Sequence, residues 1–189
     1  MTGSGGRTVF LVRHGEAAAS WGQCRDPGLS ELGQEQARAT CEHLLDLLGG
    51  AKPTLISSPL ARARETAAPL ALALACDVTI DERVREIPST VPLEERQAWL
   101  REFMRGRWSE QEESLHSWRS GVLDALTELP DRSVVFSHFL VLNSIVGAQQ
   151  GRDETLVFWP ANASVTVLRE TAGNAWDVEL GEQMSSVVN

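Results

Sequence analysis

Two arginines, two histidines and a glutamate stand where phosphate chemistry could be assembled. Arg13-His14 closes one apolar run, Arg62 follows shortly after a second, Glu86 lies just past a third, and His138 closes a fourth. The planar fork of an arginine grips phosphate oxygens in pairs. A neutral imidazole nitrogen can attack phosphorus, splitting one difficult displacement into two easier ones through a phosphohistidine. The departing alkoxide then needs a proton, and a carboxylic acid can supply it. By order along the chain, Glu86 is the best placed carboxyl for that task. A set of this kind matches a phosphate monoester dianion.

Elements must carry these groups to one place. Thr8-Val9-Phe10-Leu11-Val12 is β-branched and apolar, as expected of a strand covered on both faces. Ser30 is a good N-cap for a helix with the stripe Ala37, Cys41, Leu44 and Leu48, and Gly49-Gly50 stops it. A second strand, Thr54-Leu55-Ile56, leads into Ser57-Ser58-Pro59. There Ser58 is expected to cap, with Pro59 at the first position of a helix that buries Leu60, Ala63, Ala67, Leu70 and Leu74.

Val78-Thr79-Ile80 forms a third strand candidate. The charged stretch from Pro92 to Leu129 predicts two helices joined near Gly106–Ser109. Ser133 to Ser137 is a strand ending at His138, with a helix over Leu140 to Val146. Two last strands, Ser164 to Leu168 and Trp176 to Leu180, flank a Gly173-Asn174 turn. Alternating strands and helices imply a layered α/β domain around a mainly parallel sheet. Such sheets bind ligands at the carboxyl ends of their strands, where Arg13-His14, Ser57-Ser58 and His138 all fall.

The segments LVRHGEAAASWG, DPGLSELGQEQA, SSPLARARETA, VREI and VVFSHF, in this order, resemble the histidine phosphatase superfamily, also called phosphoglycerate-mutase-like. The resemblance implies a three-layer sandwich with a mostly parallel central sheet flanked by helices. It implies His14 as the phosphorylated nucleophile, Arg13, Arg62 and His138 as the rest of the phosphate pocket, and Glu86 as proton donor. Of the two arginines in ARAR, the family pattern selects Arg62 and not Arg64. It also implies a phosphatase without cofactor or metal, the alternatives being a mutase that returns the phosphoryl group to another hydroxyl, or a phospho-ligand-binding domain with weak turnover. Many relatives have Asn at the place of Ser20, Gly at the place of Phe139, and Gly and Trp in the stretch here reading Ile87-Pro88-Ser89-Thr90. Ser20 and Phe139 are therefore candidate substrate contacts, as is Trp21 by its closeness to the nucleophile segment, and the charged segment 92–113, the longest excursion from the sheet and just after Glu86, is a candidate cover for the pocket.

Composition limits the remaining choices. With 189 residues, 42% apolar and 23% charged, the chain is long enough for one sizeable core, read as a flexible stretch 1–7 and one domain 8–189. A net charge of -9 argues against nucleic acid or an anionic membrane as partner, so an anionic substrate needs a local positive pocket. A small phosphorylated metabolite is the expected partner, with a phosphoprotein as the other choice. Cys24, Cys41 and Cys76 share no close spacing, so neither a disulfide framework nor a zinc site is indicated, and a cytoplasmic, reducing location is expected. His43 and His116 read as ordinary polar residues. Gly15 is expected to supply a permissive backbone where the chain leaves the first strand.

Overall fold

The run 8–13 does become a strand covered on both sides, and the rest of the architecture is arranged around it. A computed structural model describes residues 6–19, 24, 26–171 and 175–184. Six strands form one sheet: β1 (Thr8–Arg13), β2 (Thr54–Ser57), β3 (Val78–Ile80), β4 (Ser133–Ser137), β5 (Val165–Glu170) and β6 (Trp176–Glu179). Their spatial order is β3-β2-β4-β1-β5-β6. The first four in that order are parallel to one another, and β5 and β6 are antiparallel to their neighbours. The turn expected at Gly173-Asn174 lies outside the described residues.

Five helices cover the sheet: α1 (Glu31–Leu48), α2 (Ala61–Leu74), α3 (Arg96–Phe103), α4 (Glu113–Glu128) and α5 (Phe139–Gln149). Side chains alternate along a strand, so β1 feeds two cores. Val9 and Leu11 pack with residues of α4 and α5, including Val122, Leu126, Leu142 and Ile145. Phe10 and Val12 pack on the opposite face with Cys41, Leu44, Ala67 and Leu70 of α1 and α2. This is the expected three-layer α/β sandwich. Among the described residues no helix is long and apolar enough to cross a membrane.

Local signals set most boundaries. The Ser30 side chain caps α1 by accepting from the Gly33 amide, and Gly49 closes the helix in the left-handed conformation at φ 55°. The charged stretch forms α3 and α4, joined through a short 3-10 turn at Trp108–Glu110. Its outer side is charged, while Leu100, Phe103, Trp108 and Leu115 pack with Phe139 and Leu140 into a third apolar cluster.

One expected boundary is wrong. α2 begins at Ala61, with Leu60 in the capping position and no side-chain cap there. The Ser58 amide still bonds across the sheet to the Phe136 carbonyl at 3.0 Å. Ser58 therefore extends the strand, and its hydroxyl is taken by His138. The Ala61 amide is met instead by Asp26 Oδ1 at 2.8 Å.

Register brings the functional ends together. Arg13 pairs with Ser137 and Ser57 with Phe136, so β1, β2 and β4 finish side by side. Just beyond, the loop after β1 lies against the first turn of α1. Gly15 is not among the residues with positive φ, so backbone freedom is not what it supplies. Space is the constraint: a Cβ on Gly15 would stand 2.6 Å from the Gly33 carbonyl oxygen, and one on Gly33 would meet the Glu16 backbone. Gly15→Ala should thus lower stability by about 1–3 kcal/mol, the usual cost of overpacking a fitted contact. Urea denaturation of the variant checks this; an unchanged midpoint would show that the two backbones can move apart freely.

Candidate active site

His14 continues the line of β1, donating its amide to the Ser137 carbonyl at 2.9 Å and accepting on its own carbonyl from Ala163 at 3.2 Å. Its ring Nδ1 lies 2.7 Å from the Gly15 carbonyl oxygen. A carbonyl can only accept, so Nδ1 carries the proton and Nε2 carries the lone pair. That lone pair receives the Nε–H of Arg62 at 3.1 Å. The ring of His138 stands 5.2 Å away, centroid to centroid.

Arg62 sits in the first turn of α2 and is 7% exposed. Thr66, one turn further on, donates its hydroxyl to the Arg62 carbonyl at 2.7 Å and accepts the Gly15 amide at 3.0 Å. This ties the start of α2 to the loop that carries His14. Asp26 Oδ1 lies 4.0 Å from Arg62 Nη1.

Arg13 is held from several sides. Its Nη1 donates to the Pro160 carbonyl at 2.7 Å and approaches Met184 Sδ at 3.4 Å, and its guanidinium lies 5.1 Å from the centre of the Phe139 ring. Phe139 in turn packs against Trp159 at 5.4 Å. Phe139, read from sequence as a substrate contact, is thus a buried shelf under an arginine. Two buried atoms of this cluster, Arg13 Nε and His138 Nδ1, have no hydrogen-bond partner among the described residues.

Glu86 follows a 3-10 turn at Glu82–Val84 that is capped by the Asp81 side chain. Its Oε1 accepts from the Ile87 amide at 3.0 Å, and its Oε2 from the Leu140 amide at 3.4 Å. The second donor belongs to the first turn of α5, which starts right after His138. All five residues expected to act together are therefore gathered at one edge of the sheet.

Burial dominates the electrostatics. It holds both imidazoles well below their ordinary pKa, helped at His14 by Arg62 and Arg13, and at His138 by His14 and Arg62. Arg13 is lowered to about 10 by burial, against the opposing pull of Glu86, and stays cationic at neutral pH. Burial also lowers Arg62. The Glu86 carboxyl is raised by burial, although the Ile87 amide and Arg62 act in the other direction. The arrangement is two cations, two neutral imidazoles and one carboxyl with enhanced hold on its proton.

Arg62 and Glu86 line an open cleft of about 570 Å3 together with Pro27, Leu93, Arg96 and Leu100. Residues before and within α3 thus line the cleft. Ser20 and Trp21 lie outside the described residues. Among the described residues, no group of three or more His, Cys, Asp or Glu side chains is placed to hold a metal ion. Sequence reasoning missed Ser58, Thr66 and Gly33 as parts of the site. Ser58 was visible in the Ser-Ser-Pro motif but was read as a helix cap.

The two depressed imidazoles give the fold an acid lability. Above about pH 7 the rings are neutral in both folded and unfolded chains and contribute no pH dependence. As pH falls through about 6.5, the unfolded chain takes up two protons that the folded protein excludes, so stability declines. The limiting slope is about 2.7 kcal/mol per pH unit for two such groups. Urea midpoints between pH 7.5 and 5.5 should show this, and His138→Gln should flatten the slope by about one proton. Equal slopes for variant and wild type would contradict a neutral buried His138.

Residues 9–182 match the model of the histidine phosphatase superfamily, branch 1. The chain is 32% identical over 178 residues to the probable phosphoglycerate mutase GpmB of Erwinia tasmaniensis, covering 82% of this chain and 77% of that protein. Its counterpart in Salmonella paratyphi C is 30% identical over 165 residues, with 76% and 74% covered. Among solved structures, a mycobacterial glucosyl-3-phosphoglycerate phosphatase superposes with a TM-score of 0.69 at 25% identity, over 92% of this chain and 97% of that one. Phosphoserine phosphatase from Entamoeba histolytica, in complex with 3-phosphoglyceric acid, shares the fold with a TM-score of 0.71 at 19% identity, over 95% and 98%. With its match spanning the sheet from β1 to β6 and the five residues at its edge, this chain belongs to the histidine phosphatase superfamily.

Proposed function

We propose that this protein hydrolyses a phosphate monoester through a phosphohistidine formed on His14 Nε2. The observation that carries the reading is the His14 imidazole itself. It is buried, neutral, tied at Nδ1 to a carbonyl, and directs its lone pair toward a cationic side chain. An incoming phosphoryl group takes over the Arg62 Nε–H as a ligand for its own oxygen, freeing the lone pair for attack. The Nε2–P bond forms as the P–O ester bond breaks. Arg13, Arg62 and His138 offset charge on the non-bridging oxygens; the unpartnered Arg13 Nε and His138 Nδ1 suit that role.

Glu86 gives its proton to the leaving alkoxide, and burial keeps that proton available closer to neutral pH than an exposed carboxyl would. In the second half a water attacks the phosphohistidine, loses a proton to Glu86, and the P–N bond breaks to release phosphate. No metal takes part in this scheme, because two guanidiniums provide the electrostatic stabilisation. The substrate class is a small phosphorylated metabolite, in keeping with the small phosphorylated molecules named for the relatives. A phosphoprotein is the other choice. Free Cys24, Cys41 and Cys76 fit a reducing cytoplasm.

The curated relatives are named as mutases, which favours a second reading in which a bound hydroxyl replaces water as acceptor. Assays of phosphate release over a panel of phosphorylated metabolites, beside 3-phosphoglycerate isomerisation, separate the two. His14→Ala should reduce phosphate release by at least about a thousandfold with the fold intact; wild-type-like turnover would end the nucleophile assignment. Glu86→Gln should lower kcat/KM roughly 10²–10⁴-fold for alkyl phosphates, and much less for p-nitrophenyl phosphate, whose leaving group needs no proton, while kcat, which includes hydrolysis of the phosphohistidine, should fall for both. A chelator should leave all these rates unchanged; loss of activity restored by a divalent ion would overturn the metal-free scheme.

A further inference from the structure

His138 is held at Nε2 by Ser58 Oγ at 2.7 Å, with both residues fully buried. Distance alone leaves open which partner donates, since neutral imidazole carries one proton on either nitrogen. The hydroxyl's other contact decides the direction. Ser58 Oγ already accepts the Leu60 amide at 3.3 Å. If His138 also donated to it, a buried serine oxygen would hold two incoming hydrogens, and its own proton would find no acceptor among the described residues. With Ser58 donating to Nε2, Leu60 N–H goes to Ser58 Oγ and Ser58 O–H to the ring lone pair, so the ring's Nδ1–H is the one group of the pair left unmet among the described residues. The opposite direction leaves two unmet, the hydroxyl proton and the Nδ1 lone pair, and that further buried group biases the ring roughly 5- to 150-fold.

We infer that Ser58 is a positioning residue that sets the tautomer of His138, placing its proton on Nδ1 so that this nitrogen acts as a donor to the phosphoryl group. Among the described residues Nδ1 is the ring nitrogen with no hydrogen-bond partner, in a ring 5.2 Å from that of the nucleophile. Were the proton on Nε2, Nδ1 would present a lone pair to an anion and repel it. The two histidines then share one tautomer and use it in opposite senses. His14 keeps its proton on a backbone carbonyl and offers its bare nitrogen; His138 keeps its bare nitrogen on a serine and offers its proton. The geometric reason is the two-residue delay in the start of α2. A Ser58 that capped the helix through its side chain would be turned away from β4.

The consequence for catalysis rests on the phosphatase reading, but the tautomer itself does not. In the resting protein, ¹⁵N-histidine NMR near neutral pH distinguishes Nδ1–H from Nε2–H directly, with the His138 signals assigned by their loss in His138→Gln. The expected result is His138 as Nδ1–H; finding Nε2–H, or a doubly protonated ring, overturns the inference without any variant of Ser58. Ser58→Ala should shift His138 toward Nε2–H and lower kcat/KM for phosphate release roughly 10–100-fold, and Ser58→Thr, which keeps the hydroxyl, should restore the Nδ1–H pattern. Retention of both the Nδ1–H signal and full kcat/KM in Ser58→Ala would equally refute it. A protein with the expected tautomer and no hydrolysis of any phosphoester would instead refute the phosphatase reading.

Discussion

The bond from His14 Nδ1 to the Gly15 carbonyl is the constraint on which the rest depends. It is short, local and internal to a dipeptide, yet it requires the chain to leave β1 in one particular way. That exit is fixed by a clamp around residues 14–16. Thr66 of α2 accepts the Gly15 amide, Gln36 of α1 accepts the Glu16 amide, and the Ser30 amide and hydroxyl both return to Glu16. The close passage of Gly15 over Gly33 lets these bonds form together. One helix cap, two glycines and a threonine thus hold an imidazole in the tautomer and orientation that its chemistry needs.

The second constraint is electrostatic. A chain of net charge -9 buries two guanidiniums within reach of one another, opposed by the buried Glu86 and, at Arg62, by the more exposed Asp26. Isolated buried charge is costly, and the fold meets that cost with dipoles and faces of rings. Arg13 rests on Phe139 and donates to a carbonyl, while Arg62 donates to an imidazole lone pair. The result is a small positive centre within an acidic protein, suited to drawing in a compact dianion and not an extended polyanion. Exposed pairs such as Arg105–Glu102 and Arg169–Glu179 contribute little to this balance.

Much of this was legible in the sequence for a definite reason. Strands buried on both faces read as unbroken apolar runs, so a charged or imidazole side chain that ends such a run marks a strand's carboxyl end. Arg13-His14 and His138 were found in that way, and Glu86 by its place just beyond the third run. The misreadings share a cause as well. Ser58 carries a strong local signal for capping, but its tertiary partner His138, just beyond β4, takes the hydroxyl. Gly15 suggested special backbone angles, whereas its neighbour across the fold requires only the absence of a Cβ. In each case the residue was noticed and its partner, distant along the chain, was not visible.

In the proposed reaction, the start of α5 serves two ends at once. His138 occupies the position before its first residue, and the amide of Leu140, its second residue, reaches the Glu86 carboxylate. Groups addressing the phosphoryl oxygens and the departing alcohol are thereby referenced to the same rigid rod, itself sunk in the core along most of its length. The wall formed by Val91, Pro92, Leu93, Arg96 and Leu100 meets that rod only at its end, where Leu100 packs with Phe139 and Leu140. Its earlier part can therefore be recut for a new alcohol portion with least disturbance to the spacing of the groups at the sheet edge, a separation of recognition from chemistry that helps a single scaffold diversify.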